Sequence, residues 1–277
     1  MYWKPDDCWS AERPVEAVIF DLDDTIYPQA EWLAGAWCAV AEAAVTYGVD
    51  PGRLRRSLHA VAEEGSDRGR VIDRALESLG AGRAPVRPLV AVFRRYRAAR
   101  LWPFPGAAES LRFLSSRVTI GLVTDGDPDI QRSKLRALRL DHAFDVVVLS
   151  DELGVSRRKP HPAPLIQAAA TLGVDRAACV YIGDRPAKDV AAAQAARMRS
   201  VRVRTGEYMS WPDTPRPWLT ARDVPHAVSQ IAALLAPRSR ATPVPIAAGY
   251  RPRSVRPLAR AELGFTGRFP SRAAAQL

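Results

Sequence analysis

From residue 104 onward, short apolar runs alternate with amphipathic stretches, and this alternation constrains the fold more than any other feature of the sequence. The apolar runs have the length of buried strands, whereas the stretches between them have the spacing of helices. Repeated alternation of this kind favours a parallel sheet with helices on both faces, so we predict an α/β fold. The predicted strands of this region span residues 118–123, 146–149, 179–182 and 201–203.

A further strand is predicted near the start of the chain, where residues 15–20 form a continuous apolar run. Such a run is typical of a parallel strand that is buried on both faces. Between this strand and the alternating region, amphipathic stretches follow one another without a strand signal, which predicts an all-helical insertion after strand 1. Its helices are predicted at residues 29–47, 51–64, 69–79 and 86–101.

The predicted organisation of the chain has four parts. These are an N-terminal extension at residues 1–14, an α/β core at 15–27 and 104–236, the helical insertion at 28–103, and a tail at 237–277. The tail contains six prolines and eight arginines with little periodicity, a composition that predicts disorder.

The net charge of +10 is concentrated in this tail. Its eight arginines and one acidic residue, Glu262, give it a charge of +7, so the rest of the chain is close to neutral. Of the 40 basic residues only four are lysines, at positions 4, 134, 159 and 188, and such a bias often reflects genome composition. A basic tail can contact nucleic acid, a membrane surface or a partner protein. We favour an inert solvated tail and predict no nucleic-acid partner.

Composition and cysteine content restrict the class of protein. A hydrophobic content of 47% is typical of a globular chain, and no apolar run approaches the ~20 residues that span a bilayer. Residues 1–14 lack the apolar segment of a signal peptide. Cys8, Cys38 and Cys179 form no CxxC pair and are odd in number, so neither a disulfide framework nor a zinc site is predicted. We therefore predict a cytoplasmic protein without a membrane partner.

The first predicted strand ends in Asp21 and Asp23, and Asp24 and Thr25 follow directly. In an open α/β sheet, ligands bind outside the carboxyl ends of the strands. Acidic side chains gathered there are costly to bury unless they hold a cation or take part in acid–base chemistry. For an isolated Asp-x-Asp pair, a solvated turn is an equally good interpretation.

Two later predicted strands are followed by groups that suit an anionic oxygen ligand. Thr124, Asp125 and Gly126 follow the strand at 118–123, where a hydroxyl and backbone N–H groups can donate to an oxygen. Lys159 lies in the loop after the strand at 146–149 and precedes a proline. Each segment alone also fits a simpler interpretation, an ordinary turn for the first and a solvated basic loop for the second.

The strand at 179–182 is followed by Gly183 and Asp184, and Asp189 lies five residues further on. Carboxylates at the end of a strand can bind Mg²⁺, a hard cation that prefers oxygen ligands. Asp189 also suits the N-terminus of the next helix, because a carboxylate stabilises the helix dipole there.

Together, these segments resemble the motifs of the haloacid dehalogenase-like (HAD) superfamily. That family has DxDxT, a Thr or Ser after the second core strand, a Lys, and GDxxxxD. The pattern is matched here by Asp21, Asp23 and Thr25, by Thr124, by Lys159, and by Gly183, Asp184 and Asp189. The resemblance covers about residues 15–235, and it implies a Rossmann-like core with a helical cap inserted after the first motif. Two positions depart from the family's pattern: the loop between Gly154 and Lys159 is two residues longer, and Arg197 replaces a glycine.

The resemblance implies a role for each motif residue. Asp21 would be the nucleophile that forms an aspartyl-phosphate, and Asp23 would act first as general acid and then as general base. Thr124 and Lys159 would stabilise the charge on the transferring oxygens. Asp189 would orient Lys159 or a metal-bound water.

The resemblance also implies the ligand contacts and the cofactor. The predicted substrate-binding residues are Thr25, Asp125 and Gly126. The cofactor would be Mg²⁺, and its predicted ligands are the side chains of Asp21 and Asp184 and the backbone carbonyl of Asp23.

These roles predict a Mg²⁺-dependent phosphomonoesterase that acts on a small soluble metabolite, either a sugar phosphate or a nucleotide. Family members that displace halide lack a carboxylic acid at the position of Asp23, since halide needs no proton to leave. A phosphomutase would use the same residues, although mutases of this family more often have glycine at the position of Asp24. A further alternative is a binding or regulatory module that has kept the fold and lost turnover.

Specificity is expected to depend on the cap, and the sequence predicts neither the ester nor the oligomeric state. Candidates for stacking against a substrate are Tyr27, Trp32, Tyr96 and Trp102, although aromatic residues at helical spacing more often belong to a core. The arginines at 94, 95, 97 and 100 could bind a second anionic group of the substrate. A solvated helix face is the alternative that we favour for them.

Overall fold

A parallel β-sheet forms the centre of the computed structural model, which describes residues 13–65 and 69–236. Its strands are β1 (Ala17–Phe20), β2 (Thr119–Thr124), β3 (Val146–Leu149), β4 (Cys179–Gly183), β5 (Arg199–Val203) and β6 (Leu219–Ala221). In the described residues their order is β3-β2-β1-β4-β5-β6, and neighbouring strands pair in parallel. β1 lies between β2 and β4, with Ile19 beside Gly121 and Tyr181. The carboxyl ends of β1, β2 and β4 are therefore neighbours.

Helices cover both faces of this sheet. They are α5 (Ala107–Ser115), α6 (Pro128–Leu138), α7 (Ala163–Leu172), α8 (Ala191–Ala195) and α9 (Val224–Ile231). On one face, Phe20 packs with apolar residues of α5, α6 and α9, and on the other face Ile19 packs with residues of α7 and α8. Because both faces are covered, every residue of β1 is buried, which explains its uninterrupted apolar sequence. The predicted Rossmann-like α/β fold is confirmed.

Between β1 and α5 the chain forms the predicted helical cap. Its helices are α1 (Gln29–Ala44), α2 (Pro51–Glu63), α3 (Val71–Ser78) and α4 (Val86–Arg95). They enclose an apolar cluster of their own, to which Trp37, Leu54, Leu76 and Leu89 contribute. α1 also carries Trp32, whose buried ring belongs to the core cluster of the sheet. The boundaries of the four predicted parts stay predictions.

The predicted tail at residues 237–277 and residues 1–12 of the predicted N-terminal extension lie outside the described residues. Within the part that is described, we find no helix with both the length and the apolar character that a membrane crossing requires.

The predicted helix at residues 86–101 is too long, because α4 ends at Arg95. At Tyr96 the backbone leaves the helical conformation, and the Tyr96 ring packs edge-on against Trp32 with 5.6 Å between the ring centroids. Further along, the backbone N–H of Leu101 donates to a backbone carbonyl of α6. These contacts with the core replace the helical hydrogen bonds that the sequence pattern favours.

Two other elements differ from the sequence pattern. The edge strand β6 is not predicted, because three residues are too few for a periodicity to be recognised. After β4, the amphipathic stretch between the predicted strands at 179–182 and 201–203 begins with a π-helical turn, Pro186–Val190, which precedes α8. Turns of this kind are frequent at functional sites, and this one contains Asp189.

The packing of Tyr96 on α1 gives a test of the cap. A methyl group at Gly35 would overlap the Tyr96 ring. Although alanine normally stabilises a helix relative to glycine, we expect Gly35→Ala to lower the free energy of unfolding by roughly 1–3 kcal/mol through overpacking. In a Tyr96→Ala background the same substitution should stabilise. Urea unfolding measures both effects, and Gly52→Ala in α2, where the nearest atom is 3.4 Å away, is the control. A gain in stability from Gly35→Ala alone would contradict this packing.

Candidate active site

The carboxyl ends of β1 and β2 border a cavity of about 240 Å³. Of the predicted site residues, those that line the cavity are Asp21, Asp23, Thr124, Asp125, Gly126 and Lys159. They come from three separate segments, which the parallel pairing of β1 with β2 and the loop after β3 bring together. The other predicted residues, Thr25, Asp184 and Asp189, are buried beside them.

The ammonium group of Lys159 joins two carboxylates in the interior. Its Nζ donates to Asp21 Oδ1 at 2.5 Å and to Asp189 Oδ1 at 2.7 Å, and it lies 3.0 Å from the Tyr181 hydroxyl. The longer loop before Lys159 therefore still lets this side chain reach the end of β1. Burial alone would lower the pKa of Lys159, but the two carboxylates outweigh it and raise that pKa well above its usual value.

Three buried carboxylates, those of Asp21, Asp184 and Asp189, offer oxygen atoms that lie within 4.8 Å of one another. Lys159 supplies one positive charge to this group. Among the described residues, neither oxygen of Asp184 has a hydrogen-bond partner, and the nearest cation, Arg185 Nε, is 3.8 Å away. Burial raises the pKa of Asp21 to about 7 and the pKa of Asp184 well above its usual value. A buried set of three carboxylates with one ammonium, in which the Asp184 oxygens accept no hydrogen bond among the described residues, fits a divalent cation.

The carboxylate of Asp23 is held by three side chains that are not among the predicted catalytic residues. Lys134 Nζ donates to its two oxygens at 2.7 and 2.9 Å, Gln131 Nε2 donates at 2.9 Å, and the Tyr27 hydroxyl donates at 2.6 Å. Burial alone would raise the pKa of Asp23, but Lys134 and these hydrogen bonds lower it below its usual value. Lys134 also lies 4.7 Å from the centroid of the Trp32 ring. Lys134 of the core helix α6 therefore contacts both the Asp23 carboxylate and Trp32 of the cap helix α1.

Asp24 connects the first motif to the cap. Its backbone is left-handed, with a φ of 58°, a conformation that favours glycine. Its buried carboxylate accepts the N–H of Gln29, the first residue of α1, at 2.9 Å and the N–H of Glu207 at 3.4 Å. The Thr205 hydroxyl donates to the Asp24 backbone carbonyl at 2.5 Å, and any side chain at Gly206 would overlap Asp24. These contacts offset the backbone strain and fix the loop that carries the first motif.

The segment after β2 is itself held by hydrogen bonds from its neighbours. Gln131 Nε2 donates to Thr124 Oγ1 at 2.6 Å, and the Ser150 hydroxyl donates to Asp125 Oδ1 at 2.6 Å. Thr25, a predicted substrate-binding residue, lies next to Asp21. Thr25 is fully buried, and its hydroxyl lies 3.5 Å from Asp21 Oδ2, so it contacts the predicted nucleophile and does not line the cavity.

Four further residues line the cavity and are not among the predicted site residues. They are Gln29, Arg158, Arg185 and Lys188. The rarity of lysine in the sequence could have pointed to Lys188 and to Lys134. Only four of the 40 basic residues are lysines, and the three that are described here all lie at this site: Lys134 and Lys159 at carboxylates and Lys188 in the cavity wall.

The aromatic candidates for substrate stacking do not line the cavity. Tyr27 and Trp32 are buried in the core cluster, and Tyr96 packs against it. These three rings therefore belong to the core, which was the alternative to substrate stacking. Trp102 is 61% exposed, and the Arg100 guanidinium lies 4.3 Å from its ring centroid. Of the arginine cluster in the cap, Arg97 lines a different cavity of about 330 Å³.

The fold and the site together define the class of the protein, which has a Rossmann-like α/β core, a helical cap inserted after β1 and a group of buried aspartates at the carboxyl ends of the strands. A family model described as "haloacid dehalogenase-like hydrolase" matches residues 15–197. The chain belongs to this family. The resemblance seen in the motifs and the predicted hydrolase class are therefore confirmed.

Curated relatives of the chain are phosphatases. A glyceraldehyde 3-phosphate phosphatase of Methanopyrus kandleri is 37% identical over 202 residues, which are 70% of this chain and 86% of the relative. A phosphoglycolate phosphatase of Xylella fastidiosa (strain Temecula1) is 34% identical over 221 residues, which are 77% of this chain and 91% of the relative. Among solved structures, a 2-haloacid dehalogenase from Pseudomonas syringae pv. Tomato is similar with a TM-score of 0.55 and 26% identity, over 79% of this chain and 98% of that one.

Asp184→Asn tests the metal assignment through stability. In the metal-free protein the raised pKa of Asp184 means that the folded state binds a proton that the unfolded chain has released, so stability falls as pH rises from about 4 towards that pKa. Asparagine removes this loss. We therefore expect Asp184→Asn to raise the melting temperature of the metal-free protein by several degrees at about pH 8 and by less at about pH 5.

The metal assignment also predicts that Mg²⁺ stabilises the protein through Asp184. Scanning calorimetry with EDTA and then with Mg²⁺ measures this effect. Mg²⁺ should raise the melting temperature of the wild-type protein and leave that of Asp184→Asn unchanged. Asp129→Asn, whose side chain is 81% exposed, is the control and should respond like wild type. An undiminished response to Mg²⁺ in Asp184→Asn would contradict the assignment of Asp184 as a ligand.

Proposed function

We propose that the protein is a Mg²⁺-dependent phosphomonoesterase that acts on a small phosphate ester through an aspartyl-phosphate. The observation that carries this proposal is the buried group of Asp21, Asp184 and Asp189 around Lys159. A carboxylate can attack an anionic phosphate only where positive charge offsets their repulsion, and this group offers one ammonium and a place for a cation. The names of the relatives, phosphatases for glyceraldehyde 3-phosphate and for phosphoglycolate, support the same reaction class.

The groups of the chain itself would bind the phosphate. Lys159, Thr124 and Asp125 line the same cavity as Asp21, and the Lys159 ammonium, the Thr124 hydroxyl and the backbone N–H of Asp125 would stabilise the charge on the transferring oxygens. The side chains of Asp21 and Asp184, with the backbone carbonyl of Asp23, would hold Mg²⁺, which supplies positive charge between the nucleophile and the phosphate.

The reaction would proceed in two steps. An Asp21 carboxylate oxygen attacks phosphorus, so a bond from Asp21 to phosphorus forms while the bond to the ester oxygen breaks, and that oxygen leaves with a proton from Asp23. Asp23 then takes a proton from the water that attacks the aspartyl-phosphate, which releases phosphate and restores Asp21.

Lys134 and the hydrogen bonds to Asp23 lower its pKa, so Asp23 is ionised in the resting site. Asp23 would therefore first take a proton from the bound substrate, pass it to the leaving oxygen, take the proton of the water in the second step and lose that proton as phosphate is released. A phosphate monoester in its monoanionic form carries the first of these protons, since its second pKa is about 6.

Asp21→Asn is the direct test of the nucleophile. Removing the attacking carboxylate should lower phosphate release by at least ~10³-fold, and omission of Mg²⁺ should abolish it. The assay measures phosphate released from p-nitrophenyl phosphate and from a panel of small phosphate esters. Arg112→Gln, on the exposed face of α5, is the control and should match wild type.

The alternatives predict different products. Phosphoryl transfer to a sugar without release of phosphate would identify a mutase, and halide release from 2-chloropropionate would identify a dehalogenase. A protein that binds Mg²⁺ and does neither, with no phosphate release, would be a silent module. Substantial phosphate release by Asp21→Asn would contradict the assigned nucleophile. The cytoplasmic location and the lack of a nucleic-acid partner stay predictions.

Lys134→Met tests whether the hydrogen bonds from Lys134 to the Asp23 carboxylate position Asp23 as general acid and base. An alkyl ester needs a proton on its leaving oxygen, whereas p-nitrophenolate is a good leaving group that needs little help. We therefore expect kcat for an alkyl phosphate to fall about 10²-fold, while kcat for p-nitrophenyl phosphate falls much less. Lys134→Arg keeps the positive charge and should restore part of the loss. An equal fall for both substrates would show that Lys134 has only a structural role.

A further inference from the structure

A second cavity, of about 330 Å³, lies between helix α6 and the connection that leads from the cap back to the core. It is lined by residues 97–99 of this connection and by Ser133, Arg136 and Ala137 of α6. None of these residues is among those that line the catalytic cavity. We propose that the second cavity binds a small anion that carries a phosphate group, and that the bound anion holds the connection against α6. The inference goes beyond the proposed function, because it requires neither metal nor turnover.

Both elements that form this cavity are rich in arginine and lack acidic residues. Residues 94–100 contain four arginines, residues 132–139 contain three arginines and one lysine, and neither segment contains an acid. Two of the α6 cations are paired elsewhere, Arg132 with Glu152 and Lys134 with Asp23. At the cavity itself, no described residue of the lining is acidic. An anion from solution is therefore the group that can balance the positive charge there.

The two arginines of the cavity have donors that are free to bind a ligand. In the part of the chain that the structure describes, the exposed Arg136 side chain makes no hydrogen bond and no ion pair. Arg97 Nη1 donates to the backbone carbonyls of Arg94 and Tyr96 at 2.6 and 2.8 Å, which holds its guanidinium at the end of α4. A guanidinium has five N–H donors, so these two bonds leave the donors on Nε and Nη2 for a ligand.

The chemistry and the size of the cavity suit a phosphate group. Arginine binds phosphate oxygens through two parallel hydrogen bonds, which are stronger than hydrogen bonds between neutral groups. The Ser133 hydroxyl already donates to the Ile130 carbonyl at 2.7 Å, so the two guanidinium groups would provide the recognition. The volume lies at the lower end of the range of about 300–1,000 Å³ that is typical of small-molecule sites, which leaves room for a phosphate and a small group attached to it.

An anion at this place would change the contact between the connection and α6. Without it, Arg97 and Arg136 carry like charges on two neighbouring elements, and their repulsion opposes close approach. Next to the cavity, the backbone N–H of Leu101 donates to the Ala137 carbonyl at 3.1 Å and so joins the connection to α6. An anion between the two guanidinium groups would replace their repulsion by two attractions. We therefore expect it to stabilise this hydrogen bond.

Titration calorimetry with inorganic phosphate and with pyrophosphate tests the site. The titrations are done at low ionic strength, because salt screens exposed charges, and in EDTA, which removes the metal that would attract phosphate to the catalytic cavity. For at least one of the two anions, Arg136→Gln should lower the affinity about ten-fold, whereas Arg97→Lys should keep part of it. Arg87→Gln removes an exposed cation at the start of α4, outside the cavity, and as the matched control should bind like wild type. Absence of binding by wild type, or equal affinities of wild type and Arg136→Gln, would overturn the inference.

Hydrogen exchange at the Leu101 amide tests whether the anion holds the connection. If the opening that exposes this amide requires release of the anion, a concentration of ten times the dissociation constant should slow the exchange about ten-fold. The slowing should be lost in Arg136→Gln at the same anion concentration and kept in Arg87→Gln. An anion that binds at the arginines and leaves the exchange of Leu101 unchanged would contradict the proposed effect on the connection. Neither measurement uses an ester, so both outcomes are independent of whether the protein is a phosphatase.

Discussion

The contact of the Lys159 ammonium with the carboxylates of Asp21 and Asp189 is the interaction on which the rest of the site depends. Buried charges are tolerated only when they are paired, and this one ammonium serves two of three acids that lie together. Within the described part of the chain the Asp184 carboxylate accepts no hydrogen bond, and its nearest cation, Arg185 Nε, is 3.8 Å away. The site is therefore electrostatically incomplete as the chain alone builds it. In the proposed function a cation completes it, and the imbalance that lowers the stability of the metal-free fold would then favour metal binding.

Much of this arrangement could be predicted from the sequence, because it follows from how parallel strands end. Asp21, Thr124 and Asp184 each come directly after a short apolar run, and neighbouring parallel strands present their carboxyl ends at one edge. The contact of Lys134 with Asp23 could not be predicted in this way. These residues are 111 positions apart, and their contact depends on how α6 is rotated about its axis. The end of α4 was missed for a related reason, since the packing of Tyr96 on Trp32 outweighs local helix propensity.

The hydrogen bonds from Lys134 to the Asp23 carboxylate also connect the core of the protein with its cap. Lys134 lies between the Asp23 carboxylate and the Trp32 ring of α1, so the core and the cap share this ammonium. The cap cluster around Trp37 also meets the core cluster of the sheet at Phe93, which packs against both Trp32 and Trp37. A displacement of α1 would change the surroundings of Lys134 and, through it, the hydrogen bonding of Asp23. Lys134 therefore links the position of the cap to the state of the proposed acid and base.

The anchoring of Asp24 also affects the order in which the protein can assemble. The loop of the first motif is held by the N–H of Gln29, which is close in sequence, and by the Thr205 hydroxyl and the Glu207 N–H, which are 181 and 183 residues further along the chain. At typical translation rates these two distant groups emerge on the order of ten seconds or more after the loop. Until then, the left-handed backbone of Asp24 has only its local contacts to offset its strain. On the ribosome, the loop that carries Asp21 and Asp23 can therefore reach its final hydrogen bonding only after residues 205–207 have been synthesised.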